Sequence, residues 1–283
     1  MWKINEAPTL NEALSDIPDI IEASKTKRNK NQRLDPKTDK DELERLYTTY
    51  HNQNGTITAQ QKDILTDVKR QCIWALYSET YDKPDAKLPN IRQALFSKIS
   101  HCPYCGFGEP TTLDHYLPKA KYQALATCRL NLVPACRECN TLKDEDTLIP
   151  HPYYESYPPG IFFFVCSVNW TGSFYTFRFH VDPGKLPKQL ENKINGLIEA
   201  VNLSNRLCRE VNSFIHDELH DAEKMPDDKI KKYIMQQADY YASTIGKNHW
   251  KTAALRGLAE CAALSRENIQ RHTGAIALRD AAV

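Results

Sequence analysis

The sequence predicts a mainly α fold with a small β component. Apolar residues recur at helical spacing on both sides of the centre, for example along residues 190–201. Two aromatic and β-branched runs, IFFFVCSVNW and FYTFRFHVDP, are separated by only TGS, which is typical of a β-hairpin. Between these regions lie two Cys-x-x-Cys pairs, which indicate a small central unit that is stapled by its cysteines.

The composition is that of an ordinary globular protein. The chain has 283 residues, of which 41% are hydrophobic and 26% are charged, so it suits one large domain or two small ones. No apolar run approaches the roughly 20 residues that span a bilayer, and MWKINEAPTL lacks the features of a secretory signal. We therefore expect a cytoplasmic protein without membrane contact, whose nine cysteines are thiols or metal ligands.

The formal net charge of +1 argues against a protein that holds long nucleic acid by overall charge alone. A nucleic-acid enzyme of this composition would need local basic patches, a short binding segment or a partner. The clearest basic stretch is 25–40, KTKRNKNQRLDPKTDK, with seven Lys or Arg against two Asp. We interpret it as a solvated, mobile linker, with a phosphate-contacting arm as the alternative.

The N-terminal region is predicted to be helical. Residues 9–23 form a short helix that is broken at Pro18, and residues 58–80 form a longer one whose Thr58 and Gln61 fit a capping box. Another helix follows Pro89 and runs into the first cysteine pair.

The C-terminal region is predicted to be a β-hairpin followed by helices. Helices start at Pro187, break near Ser204, and continue at about 227–245 and 249–266. We therefore divide the chain into an N-terminal helical region (1–90), a central unit (91–152), and a hairpin with a helical tail (153–283).

The two cysteine pairs have the spacing of a metal site. Cys102 and Cys105 are separated by thirty residues from Cys136 and Cys139, and two such knuckles supply the four thiolates that Zn²⁺ prefers. A Cys₄ set has no open coordination position, so the zinc would be structural. A rubredoxin-like iron could use the same ligands, and His101 could in principle compete as a ligand. We interpret the other five cysteines as buried, inert thiols.

Within this frame the sequence predicts a hairpin followed by a helix. TTLDHYL and NLVPAC fit two antiparallel strands, and RECNTLKDED fits a short helix that begins at the second knuckle. CPYC, LDHYLPK, NLVPAC and CRECNTLK, taken in this order, resemble an HNH endonuclease of the ββα-metal type with a Cys₄ zinc. The resemblance covers roughly residues 98–151.

The resemblance assigns roles to individual residues. It implies that Asp114 is the metal-binding acid, His115 the general base, and Asn131 the central Asn that steadies the loop and the base. Asn140 matches the last letter of the motif, and Lys143 matches a basic residue of the metal-site helix.

These side chains suit phosphodiester hydrolysis. A neutral imidazole can accept a proton near pH 7, while carboxylate and amide oxygens suit Mg²⁺ or another divalent cation. Adjacent side chains of a strand point to opposite faces, so Asp114 and His115 can cooperate only at a distortion or along the strand edge. Five cations near the motif are candidates for binding substrate phosphates: Lys119, Lys121, Arg129, Arg137 and Lys143.

The function expected from these features is metal-dependent cleavage of nucleic acid, with DNA as the expected substrate. The alternative is a non-catalytic, zinc-stabilised nucleic-acid-binding or scaffold protein. The order of helical, Cys₄ and helical regions is also similar to that of HNH effectors of bacterial anti-phage systems of the Septu type. That similarity implies an ATPase partner subunit, and the chain itself has no GxxxxGK[ST] phosphate loop.

Overall fold

The computed structural model describes residues 3–4, 6–80, 89–143, 145 and 148–280. The chain is mostly helical, and the described residues form two separate two-stranded antiparallel sheets, which confirms the predicted fold class. The chain divides into two compact units. The first comprises Trp2–Asp146 with His151–Ser156, and the second comprises Thr147–Pro150 with Tyr157–Val283. The boundaries at residues 91 and 152 stay a prediction.

The N-terminal helices of the first unit match the sequence prediction only in part: α3 was not predicted, and α5 ends at Phe96 instead of running into the first cysteine pair. A capping box between Thr9 and Glu12 starts α1, which ends at Ser15, so the break lies at Asp16 and not at Pro18 as predicted. Pro18 lies in the first turn of α2, where its missing N–H removes no helical hydrogen bond. The helices are α1 (Leu10–Ser15), α2 (Ile17–Ser24), α3 (Thr38–Asn52), α4 (Asp67–Thr80) and α5 (Pro89–Phe96).

The prediction that α4 begins near residue 58 is wrong. Thr58 and Gln61 do form reciprocal capping hydrogen bonds, of 2.7 and 3.3 Å, but only a 3-10 turn follows them at Gln61–Asp63. Leu65 is buried in the bend that comes next, and Arg70 donates a hydrogen bond to its carbonyl oxygen. Burial of Leu65 therefore bends the chain before α4 begins at Asp67.

The basic segment 25–40 is anchored near its middle. Leu34 is buried, and its N–H donates to the Ser24 hydroxyl over 2.9 Å. The carboxylate of Asp35 accepts from the N–H of Thr38 and so caps the start of α3. Most Lys and Arg side chains of the segment are exposed, and their contact with phosphate stays a prediction.

The central hairpin has the predicted order of elements. Strands β1 (Thr112–His115) and β2 (Leu132–Ala135) pair antiparallel, and the short helix α6 (Arg137–Leu142) follows. Leu113 and Leu132 belong to the same buried cluster as Tyr47 of α3 and Ile73 of α4. The N-terminal helices therefore share a hydrophobic core with the hairpin and hold it in place.

The second unit packs helices on the other predicted hairpin. Strands β3 (Phe164–Trp170) and β4 (Tyr175–Val181) pair antiparallel, as predicted. The expected break near Ser204 occurs at Asn202, which adopts a left-handed conformation with φ of 48°. A last helix beyond the predicted ones closes the described chain. The helices are α7 (Lys188–Ala200), α8 (Leu203–Leu219), α9 (Asp227–Thr244), α10 (Trp250–Glu260) and α11 (Arg266–Asp280).

We expect Gly257→Ala to destabilise the second unit. Helix α10 lies so close to β3 that a Cβ at Gly257 would clash with the carbonyl oxygen of Cys166 and lie 3.0 Å from its carbonyl carbon. Overpacking of this kind costs about 1–3 kcal/mol, which thermal unfolding can measure.

Gly274→Ala in α11 is the matched control, because a Cβ there has no heavy atom within 4 Å. Removing an exposed glycine from a helix should raise stability by about 0.5–1 kcal/mol. If both variants melted at or above the wild-type temperature, the close approach of α10 to β3 would be refuted.

Candidate active site and metal centre

The four cysteines of the two knuckles converge on one point. Their sulfur atoms all lie within 4.8 Å of one another, and the sulfurs of Cys105 and Cys136 are 3.9 Å apart. A tetrahedral zinc with bonds of about 2.3 Å would separate its ligand sulfurs by about 3.8 Å, so the donor set fits zinc. His101 is exposed and outside the cluster, and within the described parts of the chain no further His, Cys, Asp and Glu side chains converge in this way.

The surrounding backbone favours thiolate ligands. The N–H of Gly108 points to the sulfur of Cys105 at 3.3 Å, and the N–H of Cys139 points to the sulfur of Cys136 at 3.4 Å. A Cβ at Gly108 would lie 2.9 Å from the Cβ of Cys136, so the close approach of the knuckles requires glycine there. This closed set suits structural zinc.

A cleft of about 410 Å³ opens beside the zinc knuckles, at the end of β1. Asp114 and His115 both line it, although they are neighbours on the strand and are only 5% and 8% exposed. Two adjacent strand residues can therefore both face one cleft here, because they lie at the end of β1. Three cationic side chains and a second carboxylate complete the charged lining: Arg92, Lys119, Lys143 and Glu145.

Asp114 is held by two donors from elsewhere in the unit. The hydroxyl of Tyr104 donates to Oδ2 over 2.6 Å, and burial raises the pKa of this tyrosine well above its usual range, so it remains a donor. The ammonium of Lys143 lies 3.0 Å from Oδ1 and 2.9 Å from Oδ2. Lys143 also donates to the carbonyl oxygen of His115 over 3.0 Å.

His115 has a defined tautomer. Its Nε2 lies 2.9 Å from the carbonyl oxygen of Ala126, which can only accept, so Nε2 carries the proton and Nδ1 is the acceptor. Burial lowers the pKa of this imidazole to about 4, which leaves the ring neutral at pH 7. The ring of Tyr77, from α4, packs at an angle of 70° with a centroid distance of 4.3 Å. The imidazole is therefore oriented on two sides.

Asn131 braces the loop that supports His115. It is fully buried, and its Oδ1 accepts hydrogen bonds from the N–H of Leu117 and the hydroxyl of Tyr50, at 2.8 and 3.0 Å. Its Nδ2 donates to the carbonyl oxygens of Leu117 and Leu125. The loop it ties includes Ala126, the partner of His115. Asn131 is thus outside the cleft lining and supports the loop that contacts His115.

Asn140 lies on α6 and lines the same cleft as Asp114. Its Nδ2 donates to the Thr112 hydroxyl over 3.1 Å, which leaves Oδ1 as an acceptor, and Thr112 itself donates to Ala135. A carboxylate and an amide oxygen have the chemistry of Mg²⁺ ligands, so the donor types fit a divalent cation. Both oxygens of Asp114, however, already receive the ammonium of Lys143.

The hairpin, helix and cysteine cluster coincide with a match to known proteins. A family model described as HNH endonuclease matches residues 102–146. These residues form an HNH endonuclease domain. Protein ea31 of Escherichia phage lambda is 34% identical over 101 residues, which covers 27% of this chain and 34% of that protein. The chain thus spans about a third of the length of the curated relative it matches, and no solved structure matches it.

The matched stretch contains the cysteine cluster, the hairpin and α6, and with them Asp114, His115 and Asn140 of the cleft. Among the described residues, no helix is both long and apolar enough to cross a membrane. The buried cysteine cluster agrees with the zinc-containing form of this domain.

The cations predicted to bind substrate occupy different positions around the HNH domain. Lys119 lines the cleft, with its ammonium 4.6 Å from the centre of the Tyr77 ring. Lys121 is 45% exposed and lies 3.9 Å from Glu145, and Arg137 is exposed on α6. Lys143 contacts Asp114 rather than standing free toward solvent.

The prediction that Arg129 binds substrate is corrected by its environment. The side chain is buried, and Nε and Nη2 contact the two carboxylate oxygens of Asp16 at 2.6 and 2.5 Å. This bidentate pair occupies Nε and Nη2, and Nη1 lies 3.6 Å from a carboxylate oxygen of Glu12. Arg129 therefore joins the HNH domain to the junction of α1 and α2, and it does not line the cleft.

Two aromatic residues that contact the site were not predicted from the sequence. Tyr104 stands between the first two cysteines of the cluster, and this fixed position beside a metal knuckle is a sequence signal for its place in the site. Tyr77 carries no such signal, because its contact with His115 depends on how α4 packs against the hairpin.

Proposed function

We propose that the protein is a metal-dependent endonuclease that hydrolyses phosphodiester bonds in DNA, with His115 as the general base. The observation that carries this proposal is the neutral imidazole of His115, oriented by Ala126, in one cleft with Asp114 and Asn140. An oriented acceptor beside a carboxylate is what activation of a water molecule requires.

In the proposed reaction, Nδ1 of His115 takes a proton from water as the water attacks phosphorus. The hydrogen bond from Nε2 to Ala126 keeps Nδ1 available throughout. The charge that develops on the imidazole is stabilised by the neighbouring carboxylate of Asp114. The products would carry 5′-phosphate and 3′-hydroxyl ends.

Asp114 and Asn140 are the residues that would hold Mg²⁺ or another divalent cation. When bound, such an ion supplies stabilisation of the negative charge that develops on the phosphate and on the leaving 3′ oxygen. Lys119, Lys121 and Arg137 would neutralise flanking phosphates from the cleft and its exposed surroundings. Two protein ligands make a weak site that substrate oxygens would complete.

We also propose that this cytoplasmic nuclease is the effector of a bacterial anti-phage system, regulated by an ATPase partner subunit. The support is the order of helical, Cys₄ and helical regions, together with a net charge of only +1. A pulldown of the full chain from its native host should recover an ATPase. Recovery of the chain without an ATPase would contradict this part of the proposal.

The nuclease proposal is tested by nicking of supercoiled plasmid with zinc-loaded protein. We expect cleavage with Mg²⁺ or Mn²⁺ and none with EDTA, with zinc content checked in both samples. The nicks should be sealed by DNA ligase without end repair, because ligase requires 5′-phosphate and 3′-hydroxyl ends.

Single-stranded DNA and RNA, tested in parallel, identify the preferred substrate. Cleavage of RNA alone would contradict the DNA assignment. Binding of nucleic acid without cleavage of any substrate would favour the non-catalytic alternative.

A further inference from the structure

A lysine ammonium occupies the centre of the candidate metal site. Lys143 Nζ lies 3.0 and 2.9 Å from the two carboxylate oxygens of Asp114 and 3.0 Å from the carbonyl oxygen of His115. An ammonium has three N–H donors, and these three acceptors can use all of them. The side chain is only 5% exposed, so this is a built internal contact rather than a surface ion pair.

The carboxylate of Asp114 is nearly saturated as a result. Tyr104 donates to Oδ2 over 2.6 Å, so three of the about four lone-pair positions of the carboxylate already have protein partners. A divalent cation on Asp114 would need these oxygens and would lie beside a second positive charge. Lys143 and the metal therefore compete for one ligand.

The position of Lys143 gives it an alternative partner. It directly follows α6 and lines the same cleft as Lys119 and Arg92, where a substrate phosphate would lie. A phosphate oxygen there would offer the ammonium an anionic acceptor in place of Asp114. Substrate and metal would then enter together, because the phosphate takes the lysine and the metal takes the carboxylate.

We propose that Lys143 is a tethered cation that blocks divalent-metal binding at Asp114 until substrate phosphate displaces it. This inference rests on the proposed function, because it assumes that Asp114 binds the catalytic metal. The free protein then binds the metal weakly, and metal loading is coupled to nucleic-acid binding.

The test is to measure by calorimetry the affinity of zinc-loaded protein for Mn²⁺ in the absence of nucleic acid. Lys143→Met should bind Mn²⁺ at least about tenfold more tightly than the wild type, because the competing charge is gone. Lys143→Arg keeps the positive charge, so this variant should bind Mn²⁺ as weakly as the wild type does. Lys119→Met is the matched control, since Lys119 lies in the cleft over Tyr77 and forms no ion pair with Asp114 within 4.0 Å; its affinity should change less than about threefold.

Asp114→Asn separates this inference from the proposed function. If Asp114→Asn abolishes Mn²⁺ binding and Lys143→Met binds no more tightly than wild type, the blocking role is overturned while the metal site stands. If Asp114→Asn binds Mn²⁺ like wild type, both are overturned. Zinc content and thermal unfolding verify that each variant is folded.

A separate measurement tests whether metal binding is coupled to substrate binding. In a His115→Ala background, which keeps the nucleic acid intact, a short DNA duplex should tighten Mn²⁺ binding when Lys143 is present. The same duplex should tighten it by a smaller factor in Lys143→Met, because no lysine remains to be displaced. An equal tightening in both proteins would show that Lys143 is not the coupling element.

Discussion

Replacement of Cys105 by alanine should abolish zinc binding and melt the HNH hairpin. Structural zinc contributes roughly 10–16 kcal/mol in small zinc-dependent folds, which matches or exceeds the total stability of about 5–15 kcal/mol of a typical domain. The four sulfurs lie within 4.8 Å of one another, so the loss of one leaves three thiols crowded without a complete tetrahedral set. Zinc content per chain and thermal unfolding measure the effect.

Cys128→Ala is the matched control for the zinc prediction. Cys128 is also fully buried and lies between the two knuckles, but it is not part of the cluster. It should retain one zinc ion per chain and lose only the modest stability of a truncated side chain, about 1 kcal/mol. The Cys₄ site would be refuted if Cys105→Ala kept its zinc and had the same melting temperature as Cys128→Ala.

His115→Ala should reduce the rate of plasmid nicking by about 10²–10⁴-fold, which is the usual contribution of a positioned general base. The imidazole is the oriented acceptor of the cleft, and alanine leaves no group that can take the proton of the attacking water. Single-turnover nicking at saturating Mg²⁺ measures the effect on chemistry rather than on binding.

His101→Ala provides the comparison, because His101 is exposed beside the first knuckle and absent from the cleft lining. It should nick at the wild-type rate. His115→Gln guards against a packing defect, since glutamine is a poor base at pH 7 and retains some of the lost volume and polarity. Wild-type nicking by either folded, zinc-loaded His115 variant would refute the base assignment.

The features that the sequence predicts well are those with local spacing. The knuckles, the hairpin between them and the short helix after Cys136 follow from residues that are near one another along the chain. Turn and ligand chemistry act over a few residues, so spacing alone indicates them. The roles of individual site residues stay predictions until the variants are measured.

Features that depend on distant partners could not be predicted in this way. Arg129 resembles a substrate-binding cation in sequence, but its partner Asp16 is 113 residues away. Helix α4 begins late because Leu65 is buried by tertiary packing, which overrides a local capping signal. Lys143 was expected near phosphate, and its contact with Asp114 depends on how α6 folds back on β1.

The HNH motif depends on contacts with the helices that precede it in the chain. The imidazole of His115 packs against Tyr77 of α4, Asn131 is hydrogen-bonded to Tyr50 of α3, and the buried Arg129 is paired with Asp16. An excised 98–151 fragment would expose a buried guanidinium and lose one side of the cleft. Transplanting this site into another scaffold would therefore require the preceding helices together with the hairpin and its cysteine cluster.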